Sequence, residues 1–205
     1  AHVVKKGLLA GGIDEVYARK IQRNIILFYI AFYLVVSVLS LFGVFYVNII
    51  PPRIIIFAAI PLFLFYILIV RRAAWFKIAF EYLKLESIVW IHLFRFVGIF
   101  FFINYYYETL PWGFALKGGA GDIISAVLAM VVVYALQQKM TFAKPLAWIW
   151  NFIGLADILI VIATAIIISK EAIAAGTPGV VEIAAFPFSL IPAFAPSTII
   201  FLNLL

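Results

Sequence analysis

An all-α polytopic membrane protein, a bundle of six transmembrane helices with both termini cytoplasmic and a proline-broken sixth helix, is the fold that three observations predict. The 205 residues are 67% hydrophobic and 12% charged, against about 45–50% and 25% in soluble globular domains. Six apolar runs of about 20 residues follow one another, the length that carries a helix across ~30 Å of hydrocarbon. Lys and Arg divide unevenly between the connecting segments.

The runs cover residues 24–47, 54–70, 88–107, 119–138, 146–169 and 183–205. None alternates polar with apolar as barrel strands do. Helices satisfy every backbone donor and acceptor in lipid, so each run is expected to be helical. Residues 1–23 form a basic N-terminal segment on the cytoplasmic side, without the apolar core of a signal peptide, and residues 24–205 form the membrane domain. Pro51 and Pro52 turn the chain between the first two runs. Residues 71–86 read as an amphipathic helix lying at the interface. No internal repeat divides the chain.

Six spans place Lys5, Lys6, Arg19, Lys20, Arg23, Arg71, Arg72, Lys77, Lys84, Lys139 and Lys144 on one side. Arg53, Lys117 and Lys170 lie on the other. The positive-inside rule makes the first side cytoplasmic, with both ends of the chain inside. The bilayer is then the first partner, and the net charge of +6 is spent on topology and anionic headgroups. The basic residues flank spans and form no separate module, so nucleic-acid binding is not expected. Tyr46, Tyr105, Tyr106, Tyr107 and Trp112 at one boundary, and Trp75, Tyr82, Trp90 and Trp148 at the other, suit interfacial aromatic belts.

Charges near the bilayer centre are costly and face protein or water, where they find partners. Arg95 lies halfway along the third run and Asp157 halfway along the fifth. These runs point the same way, so the two charges share a depth and are expected to pair. His92 precedes Arg95 by three residues and falls on the same helix face. Asn151 matches the depth of His92. The expected cluster is His92, Arg95, Asn151 and Asp157, either as a ligand- or proton-handling pocket or as a device that fixes helix packing.

The connection from Glu108 to Asp122 is the second informative stretch. Gly118, Gly119 and Gly121 are expected to open the fourth span, with Asp122 in its first turn, about half a membrane away from Asp157. There Asp122 either caps the helix or forms an outer gate or entry site with Glu108 and Lys117. In the sixth run Pro187, Pro192 and Pro196 each remove a backbone donor, so a kink or break is expected, with freed carbonyls that line a cavity or are satisfied by neighbours.

These features resemble uncharacterised bacterial six-span membrane proteins over roughly residues 88–205. The resemblance rests on His92-x-x-Arg95 with Gly98, Leu110-Pro111 with Phe114-Ala115, Gly119-Ala120-Gly121-Asp122, and Leu190-Ile191-Pro192-Ala193-Phe194. It implies six spans and no assigned activity. Those proteins often carry a His near the end of the last span, where this chain has Asn203.

No Cys is present, which excludes disulfides and thiolate metal or iron–sulfur sites, and two His exclude a three-His metal centre. No G-x-S-x-G or H-E-x-x-H motif occurs, and an enzyme is not expected. The cofactor is left open. The leading reading is binding of a small solute or proton at the His/Arg/Asp cluster, for transport or sensing. A subunit of a larger membrane complex, and a haem or pigment subunit ligated by His92, are the alternatives.

Overall fold

A computed structural model describes residues 1–205, and it is all-α with no strand. Helix α1 spans His2–Ala10, α2 Glu15–Leu41, α3 Ile55–Val70, α4 Ala74–Glu81, α5 Leu85–Tyr106, α6 Trp112–Gln137, α7 Ala143–Ala175 and α8 Leu190–Asn203. Helices α2, α5, α6 and α7 are long and apolar enough to cross a membrane. The pair α3 and α4 would make a fifth such element, bent by 84° between its halves. Helix α8 has 14 residues, roughly 21 Å at 1.5 Å per residue.

Local chemistry explains where these helices begin and end. Asp14 caps α2, its carboxylate accepting from the backbone of Val16 and Tyr17 at 2.9 and 3.2 Å. The same helix stops at Leu41, short of the expected Val47, because Gly43 takes a left-handed turn at φ +69°. That turn lets Val44 N–H reach Leu39 O and Gly43 N–H reach Ser40 O, satisfying carbonyls the helix leaves free. Helix α6 starts at Trp112, immediately after Pro111 in extended conformation, seven residues earlier than expected.

Three of the helices are wound unevenly. In α5, residues His92–Gly98 tighten to a 3₁₀ turn, so His92, Arg95 and Gly98 stack at three-residue spacing and all three are buried. In α6, Leu116–Ala120 widens to a π turn through Gly118 and Gly119, which lie inside the helix and not at its start. In α3, π turns flank a central α segment that carries Pro61.

The basic N-terminal segment packs rather than floats. Leu8 of α1, Ala18 of α2 and Ala79 of α4 form a small core, with Trp75 and Ile78 around it. A Cβ at Gly7 would collide with the Ala79 carbonyl, so α1 and α4 touch backbone to backbone. Of the 71–86 connector, Ala74–Glu81 is a helix that packs Ala79 against α1, while Leu85 and Glu86 already belong to α5.

Residues 183–205 do not form one helix. A 3₁₀ turn at Val181–Ala184 precedes α8, which starts at Leu190 and holds Pro196 inside it. Ala193 and Ala195 let α8 approach its neighbours. Ser197 donates to the Ala59 carbonyl at 2.5 Å across the α3–α8 contact. Ser197→Ala removes that donor and leaves the Ala59 carbonyl its intrahelical bond, so thermal melting of the purified protein is expected to fall by the equivalent of about 0.5–1.5 kcal/mol. An unchanged melting point would show that Ala59 finds another donor.

Candidate functional site

The centre of the bundle is organised around one guanidinium. Arg95 is fully buried, and three acceptors on two neighbouring helices answer it. Its Nε donates to Asp122 Oδ1 of α6 at 2.8 Å. One terminal nitrogen donates to the Gly154 carbonyl of α7 at 3.2 Å, and the other to Asp157 Oδ2 of the same helix. A planar fork with donors on several edges suits three acceptors at fixed angles, which a lysine ammonium would not match.

Small residues create the room for this arrangement. A Cβ at Gly98 would stand 2.7 Å from Asp122 Cβ and 2.9 Å from the Gly119 carbonyl. A Cβ at Gly119 would stand 3.0 Å from the Gly98 carbonyl. Helices α5 and α6 therefore cross at backbone distance one turn above Arg95. A Cβ at Gly121 would collide with the Asp157 carboxylate, and one at Gly154 would lie 3.0 Å from an Arg95 terminal nitrogen. Gly98, Gly119, Gly121 and Gly154 are the packing surface of the site.

The expected Arg95–Asp157 pair is present, joining α5 to α7. Asp122 belongs with it and not with an outer gate. Because α6 begins at Trp112, Asp122 lies about ten residues, or roughly 15 Å, into the helix, well past its first turn and at the level of Asp157. Glu108 and Lys117 are exposed, and neither makes an ion pair. Glu108 occupies the left-handed position, φ +58°, that ends α5, with Thr109 N–H bonding the Asn104 carbonyl. The earlier signal for Asp122 was Leu110-Pro111-Trp112, because a proline just ahead of an apolar run marks a helix start.

His92 and Asn151 lie beside the ion pairs without joining them. His92 is 1% exposed and meets Trp150 edge to face with ring centroids 4.8 Å apart. Its Nδ1 has no hydrogen-bond partner. Trp150 donates through Nε1 to the Ser125 carbonyl at 2.9 Å, tying α7 to α6. Asn151 donates to the Asn203 carbonyl at 3.2 Å, and Asn203 donates to the Ile199 carbonyl at 2.9 Å. Asn203 Oδ1 is buried without a partner, near Gly154 and so near Arg95. A separate hydroxyl relay of Tyr29, Tyr66 and Thr198, with steps of 2.9 and 3.1 Å, links α2, α3 and α8. Charge spacing alone gave no sign of it.

Fully ionised, the three central side chains sum to one negative charge in an enclosed space. One proton or one cation makes the group neutral, and Arg95 offers little to a free anion because each of its three nitrogens already has an acceptor. The family model described as "Domain of unknown function (DUF8737)" matches residues 50–205. No curated protein and no solved structure matches the chain.

Proposed function

We propose, from the premise that the chain belongs to the DUF8737 family and that the match encloses Arg95, Asp122 and Asp157, that it is a proton-binding inner-membrane protein of bacteria. The Arg–Asp–Asp group is its exchange site, serving transport or sensing. Six membrane passages, with α3 as the second and α4 lying at the interface, residues 183–205 as a broken sixth and both termini in the cytoplasm, complete the proposal. The distribution of Lys and Arg supports that orientation. The observation that carries the reading is one guanidinium bonded to two carboxylates. In low dielectric the surplus negative charge is costly, and a proton shared by the carboxylates removes it. His92 and Asn151 shape the wall behind the group.

Infrared difference spectra recorded between acidic and alkaline buffer test the reading. The carbonyl stretch of a protonated buried carboxyl is expected in the wild-type protein. It should disappear in Asp157→Asn, which keeps an acceptor for Arg95 and leaves a neutral Arg95–Asp122 pair. In liposomes, the same variant is expected to lose proton movement while retaining its fold. Absence of the carboxyl band at every pH would overturn the proposal.

A further inference from the structure

A cavity of about 180 Å³ lies between α5, α6, α7, α8 and the segment from Phe45 to Ile55. For scale, an apolar cavity of ~150 Å³ in another protein binds benzene. Its wall is apolar apart from Asn48, Ser169 and Asp122, and Asp122 is the single charged residue on it. Phe45, Phe101 and Phe114 supply aromatic faces. Asp122 is 5% exposed. Its Oδ1 is held by Arg95, while Oδ2 accepts no hydrogen bond and keeps a little accessible surface. Asp122 thus brings a carboxylate with one unbonded oxygen to the cavity wall.

We propose that this cavity binds a small hydrophobic amine, its ring or short chain against the phenylalanines and its ammonium on Asp122 Oδ2. The inference rests on the proton-binding reading, because the ammonium would replace the proton as the cation that neutralises the second carboxylate. The chemistry selects among ligands. A hydrocarbon fills the apolar space but leaves Oδ2 unpaired in low dielectric. An anion meets a carboxylate at the only charged point of the wall. An ammonium forms a charge-assisted hydrogen bond there, the stronger kind, and its apolar body gains from burial. The volume limits the ligand to about one aromatic ring with a two- or three-atom side chain. Exchange of amine against proton at one carboxylate makes their occupancies mutually exclusive.

Competition against radiolabelled 2-phenylethylamine on the full chain in detergent tests the proposal. Unlabelled amine should displace the label. Propylbenzene, which replaces the ammonium by a methyl group, and 3-phenylpropanoate, which replaces it by a carboxylate, should fail at roughly a hundredfold higher concentration. Asp122→Asn should weaken binding by about tenfold or more. Ala165→Phe, which fills the cavity from α7 without touching the ion pairs, should abolish binding while leaving the infrared carboxyl band in place. Displacement by propylbenzene as effective as that by the amine, or undiminished binding in Ala165→Phe, would overturn the proposal. An intact pH-dependent carboxyl band with no amine binding overturns this inference and leaves the proton reading standing. Amine binding without any carboxyl band supports the site and removes the proton step.

Discussion

Arg95→Met is expected to destabilise the protein by about 3–5 kcal/mol, the cost of leaving buried charge without its counter-charge. Two carboxylates that now share one guanidinium would face each other across α6 and α7 with nothing between them. Most of the variant should fail to reach a folded state, read as loss of the cooperative melting transition of its tryptophans in detergent. Arg95→Lys should recover little, because one ammonium does not reach Asp122, Gly154 and Asp157 from the directions that the three guanidinium nitrogens use. Removing all three charges together, as Arg95→Met with Asp122→Asn and Asp157→Asn, should restore a melting transition close to the wild type. Buried ion groups are replaceable by neutral ones of similar size far more cheaply than they are broken. A stable Arg95→Met single variant would show that the carboxylates do not depend on this cation.

Gly98→Ala is the second large effect. Its methyl would lie 2.9 Å from the Gly119 carbonyl, a backbone atom that yields only if α5 and α6 separate, and 2.7 Å from Asp122 Cβ. Overpacking costs about 1–3 kcal/mol, and separation also lengthens the 2.8 Å bond from Arg95 to Asp122. The infrared carboxyl band is therefore expected to shift along with the melting point. Gly113→Ala is the matched control. It sits in the first turn of α6 with nothing within 4 Å of the added carbon, and replacing a helical glycine should be neutral or stabilising by up to about 1 kcal/mol. A gain in Gly98→Ala equal to that in Gly113→Ala would mean that helix propensity and not the α5–α6 crossing governs this region.

Arg95 and Asp157 are legible as partners in the sequence, because two opposite charges at one depth in apolar surroundings have few other ways to be satisfied. The alignment of His92 with Arg95 was legible too, and the 3₁₀ turn sharpened it by stacking residues three apart. Asp122 was not. Its glycine-rich neighbourhood looks like a turn to any reading of local propensity, yet Leu116–Ala120 continues as helix. Glycine there serves the close approach of α5, a requirement that exists only once α5 is in place. Asn151 shows the opposite error. It has the right depth, but it bonds Asn203 on α8 rather than the ion pairs.

Apolar composition and the spacing of charges determined the helical class, the long apolar helices and the burial of an Arg–Asp pair, because transfer free energy and backbone satisfaction act residue by residue along the chain. The tertiary structure alone decided that a second carboxylate shares Arg95, that residues 183–205 end as a 14-residue helix, and that an apolar cavity meets Asp122. Those depend on how far each helix is rotated and how closely its backbone approaches the next. The π and 3₁₀ turns of α3, α5 and α6 set that rotation, and they form where packing between helices outweighs the regular winding of each one.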